Sequence, residues 1–261
     1  MRPAPQWNAA DYAANSAVQL AWARELLASL HLRGDEHILD VGCGDGKITA
    51  EIARTVPRGS ATGIDASTPM IAFARETFPG LDFQVMDARQ IKFSRPFDLV
   101  FSNAALHWVD DHPAFLGGAA EVLRSGGRLV VSCGGHGNGQ AMAVALHVVM
   151  RRQRWRDWFR GMPTPYFFHT PAEYRIWLDR AGFPNAKVEL TPRDAAYEGM
   201  PGLIAWLRTA WLPYTQRVPE AERDAFIAAA AERYAVTHPP GAHGRFLVRM
   251  VRLEIDALKQ L

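Results

Sequence analysis

The feature that most constrains the fold is an alternation of short apolar runs and helical patterns through the first half of the chain. Runs of strand length lie at 37–41, 60–65, 81–87, 97–102 and 128–132, and helical patterns separate them at 48–55, 68–77 and 113–123. Parallel strands joined by crossover helices form a sheet that is covered on both faces. The sequence therefore predicts an α/β protein with a Rossmann-like, doubly wound sheet.

The second half of the chain departs from this alternation. After a glycine-rich stretch, helical patterns lie at 140–158, 200–211 and 219–234, and strand patterns return at 186–190 and 248–258. A chain of 261 residues is expected to form one large domain. We predict a single domain with an N-terminal cap segment and helix (1–30), a cofactor-binding half (31–134), and a late sheet with helical lid insertions (135–261).

Composition and local patterns limit the partners and the compartment. Cys43 and Cys133 are the only cysteines, which favours a reducing cytoplasm over a disulfide framework. The start of the chain lacks a signal-peptide pattern, and the longest apolar stretch, 141–150, is about half of the ~20 residues that span a bilayer. A net charge of +2 gives no indication of nucleic-acid binding. We predict a cytoplasmic protein without stable membrane association, and the oligomeric state stays open.

The first chemical signal is the segment 40–46, DVGCGDG, between a strand pattern and a helix pattern. Glycines let the backbone approach a ligand closely, and a helix N-terminus offers N–H donors to an anionic group. These features indicate an adenosine cofactor, although a purely structural turn would look similar. The dinucleotide fingerprint would place a third glycine where Lys47 stands, so NAD binding is the second interpretation.

Two acidic residues follow at the ends of the next two strand patterns. Asp65 stands nineteen residues after Gly46, where a carboxylate can bind both hydroxyls of a ribose. Asp87 ends the third strand pattern, where its carboxylate and an adjacent amide can hold an adenine edge. Either residue alone could simply cap a turn. Their succession favours a nucleoside site beyond the carboxyl ends of the strands.

These motifs resemble the class I S-adenosylmethionine-dependent methyltransferases over most of the chain. The matching segments are 38–46, 63–67, 86–88, 97–108 and 124–129. The resemblance implies the strand order 3-2-1-4-5-7-6 with strand seven antiparallel, and it implies S-adenosylmethionine as cofactor and S-adenosylhomocysteine as product. The cofactor residues implied are Tyr12, Gly42, Cys43, Gly44, Asp45, Gly46, Asp65, Ala66, Met70, Asp87, Ala88, Arg89 and Asn103.

Within that class the chain is similar to small-molecule carboxyl methyltransferases of the trans-aconitate and juvenile hormone acid types. The segment around Trp7 and Tyr12 resembles an N-terminal segment that folds over the cofactor. Trans-aconitate enzymes carry Gln where His107 stands, so the substrate is open. The likeness to juvenile hormone acid methyltransferases implies that Gln19 and Trp108 contact the substrate carboxylate.

His107 has two possible roles in this chemistry. An ionised carboxylate needs no general base to displace a methyl group from a sulfonium, whereas a phenol or amine would profit from one. His107 is therefore either an orienting donor for a carboxylate or the base of an O- or N-methyltransferase. Trp108 either donates its indole N–H to a substrate oxygen or only packs.

The late part of the chain is rich in tryptophan, and Trp206 and Trp211 are candidate substrate-binding residues. Apolar and aromatic walls favour a bulky or hydrophobic acceptor over a small tricarboxylate. Because a reactive sulfonium must be kept from water, the segment around Trp7 and Tyr12 and the helices between 200 and 234 are expected to close as a lid.

Two remaining patterns have plainer interpretations. The segment 151–160 has five arginines and one aspartate, which favours a solvated helix face over an anionic docking surface. The histidines show no metal-ligand spacing, so no metal is predicted. The alternatives from other classes are an NAD-binding oxidoreductase and a catalytically inactive ligand-binding module.

Overall fold

The computed structural model describes residues 17–260, with side chains from residue 20 onward. The described chain divides into two compact units. We call the first the sheet unit (17–136, 166–191 and 252–260) and the second the helical unit (137–165 and 192–251).

The sheet has seven strands in the order β3-β2-β1-β4-β5-β7-β6. β1 pairs in parallel with β2 and β4, β2 with β3, and β4 with β5, whereas β7 is antiparallel to β5. The predicted strand order with an antiparallel seventh strand is confirmed. The strands are β1 His37–Val41, β2 Ser60–Asp65, β3 Asp82–Val85, β4 Phe97–Asn103, β5 Leu123–Gly134, β6 Lys187–Glu198 and β7 Arg245–Leu258.

The helices before and between the first five strands lie near their predicted positions. The helices of the described chain are α1 Ala17–Ala28, α2 Lys47–Thr55, α3 Thr68–Thr77, α4 His112–Val122, α5 Gln140–Met150, α6 Pro171–Arg180, α7 Gly199–Ala210, α8 Leu212–Thr215 and α9 Glu220–Thr237. The bounds of α3 are those predicted from the sequence. Its start is set by Ser67, whose hydroxyl accepts a bond from the Met70 N–H (3.4 Å), and by a proline in the first turn.

Alternate residues of the central strands face two different cores of the sheet unit. Leu39 and Val100 belong to one cluster, whereas their neighbours Ile38, Leu99 and Phe101 belong to another. Successive side chains of a strand point to opposite faces, so both faces of the sheet are buried. This explains why the strands read as continuous apolar runs.

The helix predicted at 140–158 is shorter than expected, because α5 ends at Met150. Beyond it the chain turns so that the Trp155 and Phe159 rings pack against Phe226, at centroid distances of 5.6 and 5.2 Å. The five arginines of 151–160 are all exposed. Arg154 pairs with Glu222 at 2.7 Å, and the segment presents a solvated charged face above buried aromatic rings.

Helix α6 was missed by the sequence interpretation although its start carries a strong signal. The Thr170 hydroxyl accepts a bond from the Glu173 N–H (3.3 Å), and the Glu173 carboxylate accepts one from the Thr170 N–H (2.8 Å). This reciprocal pattern is a capping box with a proline at the first helical position. The sequence Thr-Pro-x-Glu would have indicated the helix.

No helix within 17–260 is long and apolar enough to cross a membrane.

Candidate active site

The glycine turn between β1 and α2 has a backbone that side chains would disturb. Gly42, Gly44 and Gly46 have φ values of 76°, 54° and 81°, in the left-handed region. A Cβ on Gly42 would lie 2.1 Å from Ala105 Cβ, and one on Gly46 would lie 2.8 Å from Phe83 Cζ. Gly46 is the N-cap of α2 and provides no side-chain cap, so this turn has the cradle and helix N-terminus that an adenosine cofactor requires.

A buried carboxylate lies at the end of β1. Asp40 is 2% exposed, and one of its oxygens accepts a bond from the Thr49 hydroxyl at 2.6 Å. Burial raises the pKa of Asp40 to about 7, and the charges of Asp65 and Asp45 act in the same direction. The sequence interpretation did not assign Asp40 to the site, although its place in the glycine motif was a signal.

Asp65, predicted to bind the ribose, lies at the end of β2 against the glycine turn. Its carboxylate accepts bonds from the N–H groups of Gly44 (3.0 Å) and Ser67 (2.8 Å). Burial raises its pKa, while these two bonds act in the opposite direction. The carboxylate is thus held rigidly where the β1 and β2 ends meet, as expected of a ribose acid.

Asp87 is engaged by the neighbouring arginine. Its carboxylate caps the turn by accepting from the Arg89 N–H (2.9 Å), and the Arg89 guanidinium binds it through Nη2 at 2.5 Å. The hydrogen bond from Arg89 is the main cause that lowers the Asp87 pKa. Arg89 also reaches Asp110 Oδ1 at 2.7 Å, which connects this strand end to the loop after β4. An adenine at Asp87 would therefore share the carboxylate with Arg89.

The remaining predicted cofactor residues lie around the same strand ends. Cys43 and Asp45 are buried in the glycine turn, and burial raises the pKa of the Cys43 thiol. Asp45 pairs with Lys47 at 3.1 Å. The others are Ala66 (exposed), Met70 (buried), Ala88 (half-buried) and Asn103 (half-buried).

The loop after β4 holds His107 in one orientation. The Gly134 N–H at the end of β5 donates to His107 Nδ1 (3.2 Å), and the Phe167 N–H donates to the His107 carbonyl (3.0 Å). Because Nδ1 accepts, the proton of the neutral ring is assigned to Nε2. Burial lowers the pKa of His107 to about 3, and the positive charges of Arg252 and His112 contribute.

Three aromatic rings lie near His107. They belong to Trp108, Tyr166 and Phe168, and the last two follow the first stretch of the helical unit along the chain. The Trp108 ring lies 5.4 Å from His107 and 4.9 Å from Tyr166, and the Tyr166 and Phe168 rings stack at 5.4 Å. The planes of the Tyr166 and Phe168 rings are nearly parallel, at 4°. The sequence interpretation assigned neither residue, although the aromatic run 166–168 was visible.

A buried arginine lies beside the end of β5. We call the loop with His107, the end of β5, residues 166–168 and Arg252 the candidate acceptor side. Arg252, on β7, is 4% exposed and donates to Ser132 and to the Asn103 amide oxygen. Its guanidinium also lies 5.1 Å from the Trp22 ring. The sequence interpretation missed Arg252, which has no local motif.

Four predicted residues lie outside the part of the sheet unit whose side chains are described. Tyr12 lies outside the described residues, and Gln19 lies in α1 by its backbone, with its side chain outside the description. Trp206 and Trp211 belong to the helical unit, where their rings meet edge to face at 5.9 Å and Trp206 stacks on Tyr197 at 5.0 Å. The substrate roles of these residues and the lid stay predictions.

Among the described residues no group of three or more His, Cys, Asp or Glu side chains could hold a metal ion.

Comparisons with known proteins agree with the fold and the glycine turn. A family model described as a methyltransferase domain matches residues 38–127. The chain is 31% identical to a trans-aconitate 2-methyltransferase of Escherichia coli, over 96% of this chain and 97% of that protein. It is 34% identical to an uncharacterised methyltransferase of Schizosaccharomyces pombe, over 72% and 74%. The YcgJ protein of Bacillus subtilis has a similar fold (TM-score 0.65, 15% identity, 93% of this chain and 99% of that one).

The seven-stranded sheet with its glycine cradle and strand-end carboxylates defines a nucleoside-binding α/β enzyme. The chain belongs to the class I S-adenosylmethionine-dependent methyltransferases. The predicted cofactor, S-adenosylmethionine, is confirmed with the family, and a methyltransferase is favoured over the NAD-binding oxidoreductase and the inactive module.

Proposed function

We propose that this enzyme methylates a carboxylate oxygen of a small-molecule acceptor and forms a methyl ester. The observation that carries the proposal is the bond from the Gly134 N–H to His107 Nδ1. This bond leaves the ring proton on Nε2, so His107 is a hydrogen-bond donor in its neutral form. A donor suits an acceptor oxygen that is already ionised.

The protonation of His107 argues against a base role. A general base works best when its pKa lies near the working pH. Burial lowers the pKa of His107 to about 3, and the nitrogen that could accept a proton already accepts the Gly134 N–H. A carboxylate acceptor needs no base, since its ordinary pKa of about 4 leaves it ionised at pH 7.

The cofactor side supplies the complementary charge. When bound, S-adenosylmethionine would supply a methyl group on a sulfonium: the ionised oxygen would form a bond to the methyl carbon while the carbon–sulfur bond breaks, its electron pair staying on sulfur and S-adenosylhomocysteine leaving. We propose that Gly42, Gly44 and Gly46 receive the cofactor and that Asp65 binds its ribose. The negative charges of Asp65 and Asp45 favour a cationic ligand over a neutral one.

Positioning accounts for the rest of the rate. An activated methyl group needs an acceptor held near attack distance with water excluded. We propose that His107 and Trp108 bind the carboxylate, Gln19 assisting, and that Tyr166 and Phe168 contact the body of the acceptor. These rings favour an apolar or planar acceptor over a small tricarboxylate, whereas relatives of the chain are named for trans-aconitate.

The test is transfer of a labelled methyl group to a panel of acids, phenols and amines, followed by mass spectrometry. The His107→Asn variant retains an oxygen for the Gly134 N–H and an N–H donor for the acceptor. We expect kcat/KM on the best acid to fall roughly 2–13-fold, which corresponds to a loss of about 0.5–1.5 kcal/mol in transition-state stabilisation. The pH profile of the rate should lose no titration step near neutral pH.

The control is His147→Asn, which changes an exposed histidine of the helical unit and should leave the rate unchanged. A loss of about 10²–10⁴-fold in His107→Asn, with disappearance of a pH limb, would contradict the carboxylate proposal. That result would identify His107 as the base of an O- or N-methyltransferase acting on a neutral nucleophile.

A further inference from the structure

Arg252 connects the two strand ends from which the acceptor side is built. In the antiparallel register of β5 and β7, Arg252 is the partner of Gly134. Its Nη2 donates to the Ser132 carbonyl (2.7 Å) and to the Asn103 amide oxygen (2.8 Å), and its Nε donates to the Ser132 hydroxyl (3.0 Å). A single buried side chain therefore bonds to the ends of both β4 and β5.

The groups that Arg252 holds lie next to those that orient His107. The Ser132 carbonyl also accepts from the Ala104 N–H (2.8 Å), where the loop to His107 begins with Ala104 at φ 56°. Two residues beyond Ser132, Gly134 donates to His107 Nδ1. A left-handed alanine is strained and persists only where its surroundings hold it. The Arg252 bonds supply part of that support.

The charge of Arg252 acts on the same imidazole. The ionisable groups near His107 are Arg252 on β7, His112 at the start of α4, and Tyr166, whose ring lies 6.3 Å away. Burial is the largest cause that lowers the pKa of His107, and the charge of Arg252 is the next. A guanidinium keeps its charge at every pH at which the protein is folded.

We propose that Arg252 is a positioning residue that holds the ends of β4 and β5 so that the Gly134 N–H meets His107 Nδ1. Its importance for catalysis rests on the proposed role of His107 as a donor. Its effect on the ring does not depend on the acceptor, so it can be measured separately.

Two substitutions separate the geometry from the charge. R252K keeps a positive charge but loses the planar array of donors that reaches both Ser132 and Asn103. R252Q keeps a planar donor but removes the charge. The matched control is R128M: Arg128 also joins β5 to β7, through Asp256 (2.7 Å), but at the other end of the strand pair.

The measurement is nitrogen NMR of the histidine rings in the full chain with S-adenosylhomocysteine added, with His107→Asn used to assign the signal. In the wild type we expect Nδ1 as acceptor, a proton on Nε2, and no titration of His107 above pH 5. In R252Q its titration should move upward by about one pH unit or more. In R252K the ring should stay neutral but lose the single tautomer. R128M should match the wild type.

Kinetics provide the second measurement. R252Q and R252K should lower kcat on the best acid acceptor by about tenfold or more, with little change in KM for S-adenosylmethionine. Wild-type-like His107 signals in both variants, or the same change in R128M, would overturn the proposal while ester formation could continue. If no acid is methylated but the His107 signals change as expected, the proposed function fails and the positioning role of Arg252 stands. If R252Q does not fold, the tautomer of His107 in R252K still tests whether Arg252 positions the ring.

Discussion

The candidate cofactor side and the candidate acceptor side of the site are built in different ways. The cofactor side comes from consecutive βα units, in which the glycine turn, Asp40 and Asp65 lie within one stretch of chain. The acceptor side combines four separate segments: the loop with His107, the end of β5, the aromatic residues 166–168, and Arg252 on β7. The cofactor side is held mainly by hydrogen bonds from backbone N–H groups of the same stretch of chain. The acceptor side is held by hydrogen bonds between residues that are far apart in the sequence.

The two sides also differ in charge. Carboxylates gather at the glycine turn, whereas the acceptor side has a buried guanidinium and a neutral imidazole. This division fits a reaction between a cationic donor and an anionic acceptor, because each ligand meets charge of the opposite sign. The following predictions test whether the two sides are distinct in this way.

The largest effect is expected where the two sides touch, at Gly42. In Gly42→Ala the new Cβ would meet Ala105 Cβ at 2.1 Å, and alanine is strained at φ 76°. We expect the free energy of unfolding to fall by about 2–5 kcal/mol and binding of S-adenosylhomocysteine to be lost, as measured by denaturation and calorimetry.

Gly80→Ala is the control, since no heavy atom lies within 4 Å of its added Cβ. Adding Ala105→Gly to Gly42→Ala should restore part of the stability, because the contact is removed while the strained backbone remains. Wild-type stability in Gly42→Ala would contradict the close contact between Gly42 and Ala105.

The second prediction is that acid acts in opposite directions on Asp40, at the candidate cofactor side, and on His112, at the start of α4. Asp40 has a pKa of about 7 in the folded protein against 3.8 ordinarily, so between these values the folded state binds more protons and gains stability as pH falls. His112 has a pKa of about 4 against 6.5, so the unfolded state binds more protons and stability is lost over that range. Each group contributes up to about 1.4 kcal/mol per pH unit.

Hydrogen exchange at pH 7 and pH 5, corrected for intrinsic rates, can separate these trends. Amides of β1 and α2 should become better protected at pH 5. Those of α6 should become less protected, because the Tyr174 hydroxyl on α6 bonds to the buried His112. Asp40→Asn should abolish the first change and His112→Asn the second. The comparison breaks down if both regions change in the same direction.

The third prediction concerns Asp65. Loss of one charge-assisted hydrogen bond to the ribose in Asp65→Ala should weaken cofactor binding by about 2 kcal/mol, or roughly 30-fold. Calorimetry with S-adenosylhomocysteine measures this, and KM for the acceptor should change little. Asp82→Ala, at the amino end of β3, is the matched control. An unchanged affinity in Asp65→Ala would remove this residue from the cofactor site.

The smallest effect is expected in α4, which begins with His112. Gly117 lies within this helix, and no heavy atom lies within 4 Å of an added Cβ. Gly117→Ala should raise the free energy of unfolding by about 0.5–1 kcal/mol without changing kcat. At Gly118 the new Cβ would lie 3.2 Å from Ile91 Cβ, so Gly118→Ala should gain less. Equal gains would show that Ile91 moves freely.

Local sequence was sufficient to predict the fold elements that form the candidate cofactor side. The strand and helix within 37–55 follow from apolar periodicity, and the turn between them follows from its glycines, which adopt left-handed backbone angles. Asp65 follows from its place at the next strand end. The same local information was present for α6 in its capping box, so the failure to predict that helix was one of interpretation.

The acceptor side required the tertiary structure. Asn103 and Arg252 are separated by 149 positions, and His107 and Gly134 by 27, so no local pattern connects them. The sequence alone left His107 equally compatible with a base and a donor, because both roles use the same side chain. Only the fold brings the Gly134 N–H to Nδ1 and places the half-buried residue under the influence of a fixed positive charge. The family and its cofactor were thus determined by short-range pattern, whereas the protonation and orientation of His107 depend on the packing of distant segments.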